Sequence, residues 1–338
     1  MGNIKKHSSL LFASLLFILS SCKDKGDVLM TPSKQYGLVL AVVDDQLDFQ
    51  KISDTLTKHL QFPQFGLPQD EHYMDVTIIK KHVFKDHFKS FRHIIFFETT
   101  KGKSKSSMSK NKWAHNQYIT TISASGTEAA LQEFKQIKPQ VLSIYHNKDI
   151  EFILQRQKMS DNRILNEKIR DLFNLSLSFP GETQLAKKDS TSFWIRLEKE
   201  RNKGGFQHQI SEGVVGKIQP YKDTLQLEPK FIIESINMFL KENVEGDIEG
   251  SYMQIADEFI SPQSEVKEVN GYYTIETRGL WRMVNGLRMG GPFVNFTIVK
   301  KDQSEIIYLF GYVYAPSFQK RDYLAEVEAM LKSFYMNQ

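Results

Sequence analysis

Three groups of residues in this sequence have types and spacings that could do chemistry. Asp44 and Asp45 directly follow the apolar run "YGLVLAVV" (Tyr36 to Val43). Paired carboxylates at the carboxyl end of a strand stand where open α/β sheets bind ligands. Such a pair could hold a hard divalent cation and support a metal-assisted hydrolase. The same two side chains could instead cap the helix that follows. A second group lies in "RGLWRMVNGLRMGGPF" (Arg278 to Phe293) and "IIYLFGYVYAP" (Ile306 to Pro316). Period-two alternation puts Tyr273, Ile275, Trp281 and Met283 on one face of the first strand, and Glu276, Arg278, Leu280 and Arg282 on the other. In the second strand Tyr308, Phe310, Tyr312 and Tyr314 share one face, with Ile307, Leu309 and Val313 opposite. If those rings are exposed beside Arg278 and Arg282, they form a platform able to stack sugars or grip a peptide. A strand apolar on both faces can equally be central and covered twice; the closing helix would then cover the rings. The third group is Cys22, in "LSSC".

Cys22 is the only cysteine, so no disulfide can form within the chain and a cysteine-cluster zinc site is excluded. Lys5 and Lys6 form a basic n-region ahead of the ten-residue apolar run "LLFASLLFIL". That run is far shorter than the ~20 residues needed to cross a bilayer, and reads as a signal peptide. Small residues before the cysteine form a lipobox, so Cys22 is expected to carry a diacylglyceryl group and become the mature N-terminus. Gly2 does not signal myristoylation, because Lys6 stands where that motif needs Ser or Thr. Residues 1–21 are thus a leader and 22–35 a tether, and the acyl chains make the membrane the first expected partner.

The sequence carries no other recognisable catalytic or metal-binding motif. The nine histidines show no H-E-x-x-H or other tight ligand spacing, and His82 and His87 read as surface residues. No G-x-S-x-G elbow, P-loop or G-x-G-x-x-G occurs, and no cofactor is expected. A formal charge of +4, two units of it from the leader lysines, argues against a nucleic-acid partner. The stretch "KGKSKSSMSKNK" (Lys101 to Lys112) holds five lysines and no apolar period. It reads as a solvated loop, with anionic lipid headgroups as the sharper alternative.

Even without its leader the chain is too long for one ordinary core. From residue 36 to 138, short apolar runs alternate with helical stretches, which indicates a layered α/β domain. Pro139 is expected to end a helix and open a helical linker over residues 139–174. From 175 to 338 the pattern turns to strands, with one helix from about Pro229 to Glu242 and another at the chain's end. Asn270-Gly271 and Asn285-Gly286 mark hairpins. Gly213 and Gly216 are expected to interrupt one strand, and Gly290-Gly291-Pro292 to mark a bulge or bent loop. This half reads as an antiparallel α+β domain with helices packed on the sheet.

"VVDD" resembles the acidic pair of phosphoreceiver domains, but the third strand ends in Glu98 rather than an acceptor aspartate. A broader resemblance is carried by "WAHNQ", "LSLSFPGE", "FWIRLE", "GSYM", "RGLW", "MGGPF" and "YVYAP". Together they are similar to an uncharacterised, domain-of-unknown-function lipoprotein family of Bacteroidetes. That resemblance implies a Gram-negative envelope lipoprotein and supplies no activity, cofactor or catalytic residue. The element order of the C-terminal half also resembles PsbP/Mog1-type α+β domains, which implies a binding or assembly role. The expected function is therefore a non-catalytic, lipid-anchored module of the cell envelope, whose further partner is an envelope protein or a glycan.

Overall fold

The computed structural model describes residues 29–336. The leader and Cys22 lie outside the described residues. Two compact units are present: one combines the described part of Met1–Leu56 with Val76–Ser143, the other Thr57–Asp75 with Ile144–Gln338.

The first unit contains strands β1 (Leu38–Val43), β2 (Asp75–Lys80), β3 (His93–Thr99), β4 (Lys105–Lys110) and β5 (Tyr118–Ala124), in the order β2-β1-β3-β5-β4. β1, β3 and β5 run parallel, and β4 is antiparallel to β5. Val39 to Val43 are all buried, as a parallel strand covered on both faces requires. Helices α1 (Phe49–Leu60) and α2 (Thr127–Lys158) contribute buried Ile52, Leu56 and Phe134. Leu40, Val42, Ile94 and Ile119 form a second small core with Phe84, Phe88 and Trp113.

Two expectations fail in this stretch. The lysine-rich segment is not a loop: Lys105–Lys110 pairs with β5, burying Met108 while its lysines stay in water. An edge strand of this kind needs only one apolar contact, and its charges guard the open edge. Pro139 does not end a helix either; α2 runs through it from Thr127 to Lys158. The missing N–H costs one helical bond, and burial of Ile137, Val141, Leu142 and Tyr145 on either side outweighs it.

The second unit holds α3 (Arg163–Phe173), β6 (Leu175–Ser176), β7 (Gln184–Lys188), β8 (Ser192–Lys203), β9 (Phe206–Pro220), α4 (Pro229–Asn243), β10 (Tyr252–Ile255), β11 (Gln263–Val269), β12 (Tyr272–Val284), β13 (Gly290–Val299), β14 (Glu305–Tyr314), α5 (Arg321–Lys332) and β15 (Tyr335–Met336). Its main sheet has the order β10-β12-β13-β14-β9-β8-β7, with β11 also pairing β12. Val294, Phe296, Ile307, Leu309 and Val313 pack on one face with Leu324, Val327 and Leu331 of α5 and with α3. On the other face Trp281, Phe293, Tyr308, Phe310 and Tyr312 pack with Ile232, Ile236, Phe239 and Leu240 of α4. The fold is thus α/β plus antiparallel α+β, as the patterning indicates.

Glycine placement is the other departure. Gly213 and Gly216 do not interrupt β9: a Cβ at either would sit 2.4 or 2.2 Å from the ring of Tyr312 or Phe193, so each glycine makes room for an aromatic ring. Gly290, Gly291 and Pro292 lie inside β13 in unbroken register with β12. Pairing of β13 with β14 begins only at Phe293, so Pro292 has a ladder neighbour on one side and its missing donor costs nothing.

Candidate functional site

A buried ionic network in the second unit is built on β12. Glu276 and Arg278 stand two residues apart and so share a face. The Arg278 guanidinium donates through Nε to Glu276 Oε1 (2.6 Å) and through Nη2 to Glu328 Oε2 (2.6 Å) on α5. Glu328 also meets His146 Nε2 at 3.0 Å and Lys332 Nζ at 2.9 Å. Cross-strand pairing sets Glu265 of β11 opposite Glu276, a like-charge pair that would repel. Lys267 Nζ relieves it by bridging Glu276 Oε1 (2.8 Å) and Glu265 Oε2 (3.3 Å).

The two inner carboxylates are 4% and 1% exposed, and burial alone would raise both pKa values. For Glu328 burial is the largest single influence and opposes the charge, but Arg278, Lys332 and His146 together overcome it, so the carboxyl is held well below its ordinary range. Glu276 is also lowered: burial opposes its charge, and Arg278 followed by Lys267 overcomes this. Arg278 is raised, since Glu328 and Glu276 more than offset its desolvation. Tyr73 is pushed up to about 12 by burial, reinforced by Glu328.

This network forms one wall of a pocket of about 410 Å³. The segment from Phe62 to Tyr73 supplies the opposite wall. Its ends are tied by the Tyr73 N–H donating to Phe62 O at 2.8 Å, and Leu67 is buried in the core beneath α5. Gly66, at φ +84°, brings this segment against β12; a Cβ there would lie 3.3 Å from the Gly279 nitrogen. Glu71 accepts from the backbone N–H groups of Lys320 (2.7 Å) and Arg321 (2.9 Å) at the start of α5, where a helix favours negative charge. Phe62 stacks on Tyr73 at 5.1 Å, and Tyr73 on His146 at 5.8 Å. Gln64, Phe65, Gln263 and Ser264 complete the lining.

A second buried ionic group joins β8, β9 and α5. Lys199 Nζ donates to Glu212 Oε1 (2.7 Å) and to Glu326 Oε2 (2.5 Å). One lysine serves two carboxylates, and the fully buried Glu212 keeps Oε2 without a partner. Burial outweighs Lys199, pushing Glu212 up to about 7.

Of the residues singled out from sequence, Arg278 alone lines the pocket. Arg282 faces Glu258 at 2.6 Å. The aromatic platform is not exposed: Tyr308, Phe310 and Tyr312 are buried and Tyr314 is partly buried, all packed with the α4 side. The helix that covers them is α4, not the closing helix, which lies on the opposite face. Register also separates rings from arginines. Tyr312 pairs with Phe293 and Phe293 with Gly279, so the rings share the face of Gly279 and Trp281. Tyr312 OH accepts from Trp194 Nε1 at 3.0 Å.

In the first unit, Asp44 Oδ1 accepts from the Gln46 N–H (3.1 Å) and its other oxygen lies 3.5 Å from Lys81 Nζ. The backbone bond, with Lys81 acting against burial, holds Asp44 below its ordinary range. Lys81 also reaches Glu98 (3.4 Å), while Asp45 pairs with His82 Nδ1 (2.5 Å). The residue that caps α1 is Asp48, which accepts from the Lys51 N–H at 3.1 Å. Among the described residues no group of three His, Cys, Asp or Glu could hold a metal ion.

Sequence reasoning missed Phe62, Tyr73, His146, Lys267, Glu276 and Glu328 as site residues. One signal was available: Glu328 falls on the apolar stripe of Leu324, Val327 and Leu331, where an unpaired charge is costly.

A search of the curated proteins finds no match. Among solved structures the chain is similar to a mutant of the protein Mog1, at 12% identity and TM-score 0.29, over 48% of this chain and 90% of that one. The Saccharomyces cerevisiae Ran-binding protein Mog1p gives 11% identity and TM-score 0.29 over the same shares. A structure from Bacteroides thetaiotaomicron VPI-5482 gives 7% identity and TM-score 0.25, over 48% of this chain and 45% of that one. These scores are too low to carry an argument. Two family profiles match the sequence itself. Residues 33–158 match one described as Domain of unknown function (DUF8532). Residues 162–333, just over half of the sequence, match another, and the chain belongs to that family, Domain of unknown function (DUF4837).

Proposed function

We propose that this chain is a lipid-anchored, non-catalytic binding module of the cell envelope, and that it holds its ligand in the pocket beside Arg278. The observation that carries the binding half is the geometry of that pocket: Glu276 and Glu328 fix the Arg278 guanidinium at 2.6 Å each in the wall of an opening of about 410 Å³. Both carboxyls are lowered from their ordinary value, Glu328 well below it, beside an arginine that stays charged. A general acid or base works best with a pKa near the working pH, and both carboxyls are shifted away from it. Locked, mutually paired side chains orient a ligand well and move protons poorly. The anchoring half rests on the n-region, apolar run and Cys22 of the leader.

The test is to extract the chain from membranes of its native host and identify what remains bound. The expected result is an acylated Cys22 at the N-terminus and a bound molecule recovered chemically unchanged after prolonged incubation. Conversion of that molecule to product would overturn the non-catalytic reading. An unprocessed leader would overturn the anchoring.

A further inference from the structure

The lining of the pocket beside Arg278 narrows the chemistry of its occupant. Four charged side chains line it: Glu265 and Glu276 against Lys267 and Arg278. Lys267 meets both glutamates and Arg278 meets Glu276, so the formal charges cancel and each is already paired. Such a wall offers no net field to select a cation or an anion. It offers closely mixed donors and acceptors instead: the Gln64 and Gln263 amides, the lysine and the exposed Glu265 carboxylate. Hydroxyl groups both donate and accept, and so match a mixed lining better than groups that do only one. Opposite stands an apolar wall of Phe62, Phe65 and Tyr73, in which Phe62 is 38% exposed despite its stacking. The volume of about 410 Å³ falls in the ~300–1,000 Å³ range of small-molecule sites.

We infer that this pocket binds an uncharged pyranose sugar, free or at the end of a glycan, with one ring face on Phe62 and its hydroxyl groups on Gln64 and Gln263. The inference rests on the binding reading above and gives that reading a ligand class. A pyranose is flat and apolar on its C–H face and ringed by hydroxyl groups that donate and accept, which is the complement of this lining. An amino-acid zwitterion would need an unpaired cation and an unpaired anion, and both charges of each sign are engaged here.

Saturation-transfer NMR on the full-length chain, kept in a sugar-free detergent, tests this. The probes are neutral hexoses, N-acetylhexosamines and their disaccharides, compared with glucosamine, glucose 6-phosphate and alanyl-alanine. At least one neutral sugar should bind and outcompete both charged sugars. Phe62→Ala and, separately, Gln263→Ala should each weaken it about tenfold, with unchanged circular dichroism. Gln263 is exposed, so its variant still reports if loss of Phe62 disturbs folding. Absence of binding by every neutral sugar, preference for a charged one, or indifference to both substitutions would overturn the inference. Binding of alanyl-alanine that both variants weaken would overturn the sugar while leaving a binding pocket in place; turnover of any probe would instead remove the non-catalytic reading.

Discussion

Arg278 is the residue whose removal should be felt most. Arg278→Ala leaves Glu276 and Glu328 buried without their main counter-charge, which typically costs about 3–5 kcal/mol. Urea denaturation should show that loss. The triple variant Arg278→Met, Glu276→Gln, Glu328→Gln should recover much of it, because no charge is then stranded between the strand and the helix. A loss below about 1 kcal/mol for Arg278→Ala would mean that the network is solvated and weak. The two buried glutamate clusters respond to pH with opposite signs. Glu328 has a lowered pKa, so its contribution is complete above the unfolded value and is lost as pH falls through the folded one. Glu212, raised to about 7, is the reverse. Between about 4.5 and 7 the folded state holds the extra proton, so stability falls as pH rises. Denaturation midpoints across that interval should decline in the wild type and flatten in Glu212→Gln, with an amplitude on the order of 3 kcal/mol.

Among the elements, the seat of α5 on the sheet depends on one missing side chain. A Cβ at Gly311 would lie 2.3 Å from Val327 Cγ1 and 3.3 Å from Leu331 Cδ1. Gly311→Ala should therefore cost about 1–3 kcal/mol, and Val327→Ala in the same chain should restore part of it, a coupling measurable in a double-mutant cycle. Much of the element pattern was legible in the sequence. The apolar run of β1, Pro229 opening α4, and Asn270-Gly271 with φ of +53° and +77° follow from local rules. The failures came where a neighbour overrode a local rule. Pro139 and Pro292 each lose one donor, which buried flanks or an absent ladder partner make harmless. The site was nearly illegible for a related reason. Its parts come from the Phe62–Tyr73 segment, the second half of α2, β11, β12 and α5, and no short stretch holds two sides of the pocket. Alternation placed Glu276 and Arg278 on one face, yet it could not say that Glu328 would descend onto them.

For the whole molecule, the proposed lipid anchor rests on one side chain, Cys22, outside the described residues. Replacing Cys22 by serine should move the chain from the membrane fraction to the soluble fraction of its native host, as seen by fractionation and immunoblotting. The described residues contain no helix long and apolar enough to cross a membrane, so retention of Cys22→Ser in the membrane after a high-salt wash would point to a second means of attachment.

The β8–β9 pair offers a way to read topology. These strands, of 12 and 15 residues, end in Gly204 and Gly205 at φ +61° and +81°, and residues 200–207 are all exposed. Loop tips of this kind accept insertions. A protease recognition sequence spliced between the two glycines would act as a reporter. Under the proposed envelope location, cutting in intact cells would place the hairpin on the outer surface, and cutting only after the outer membrane is permeabilised would place it beneath.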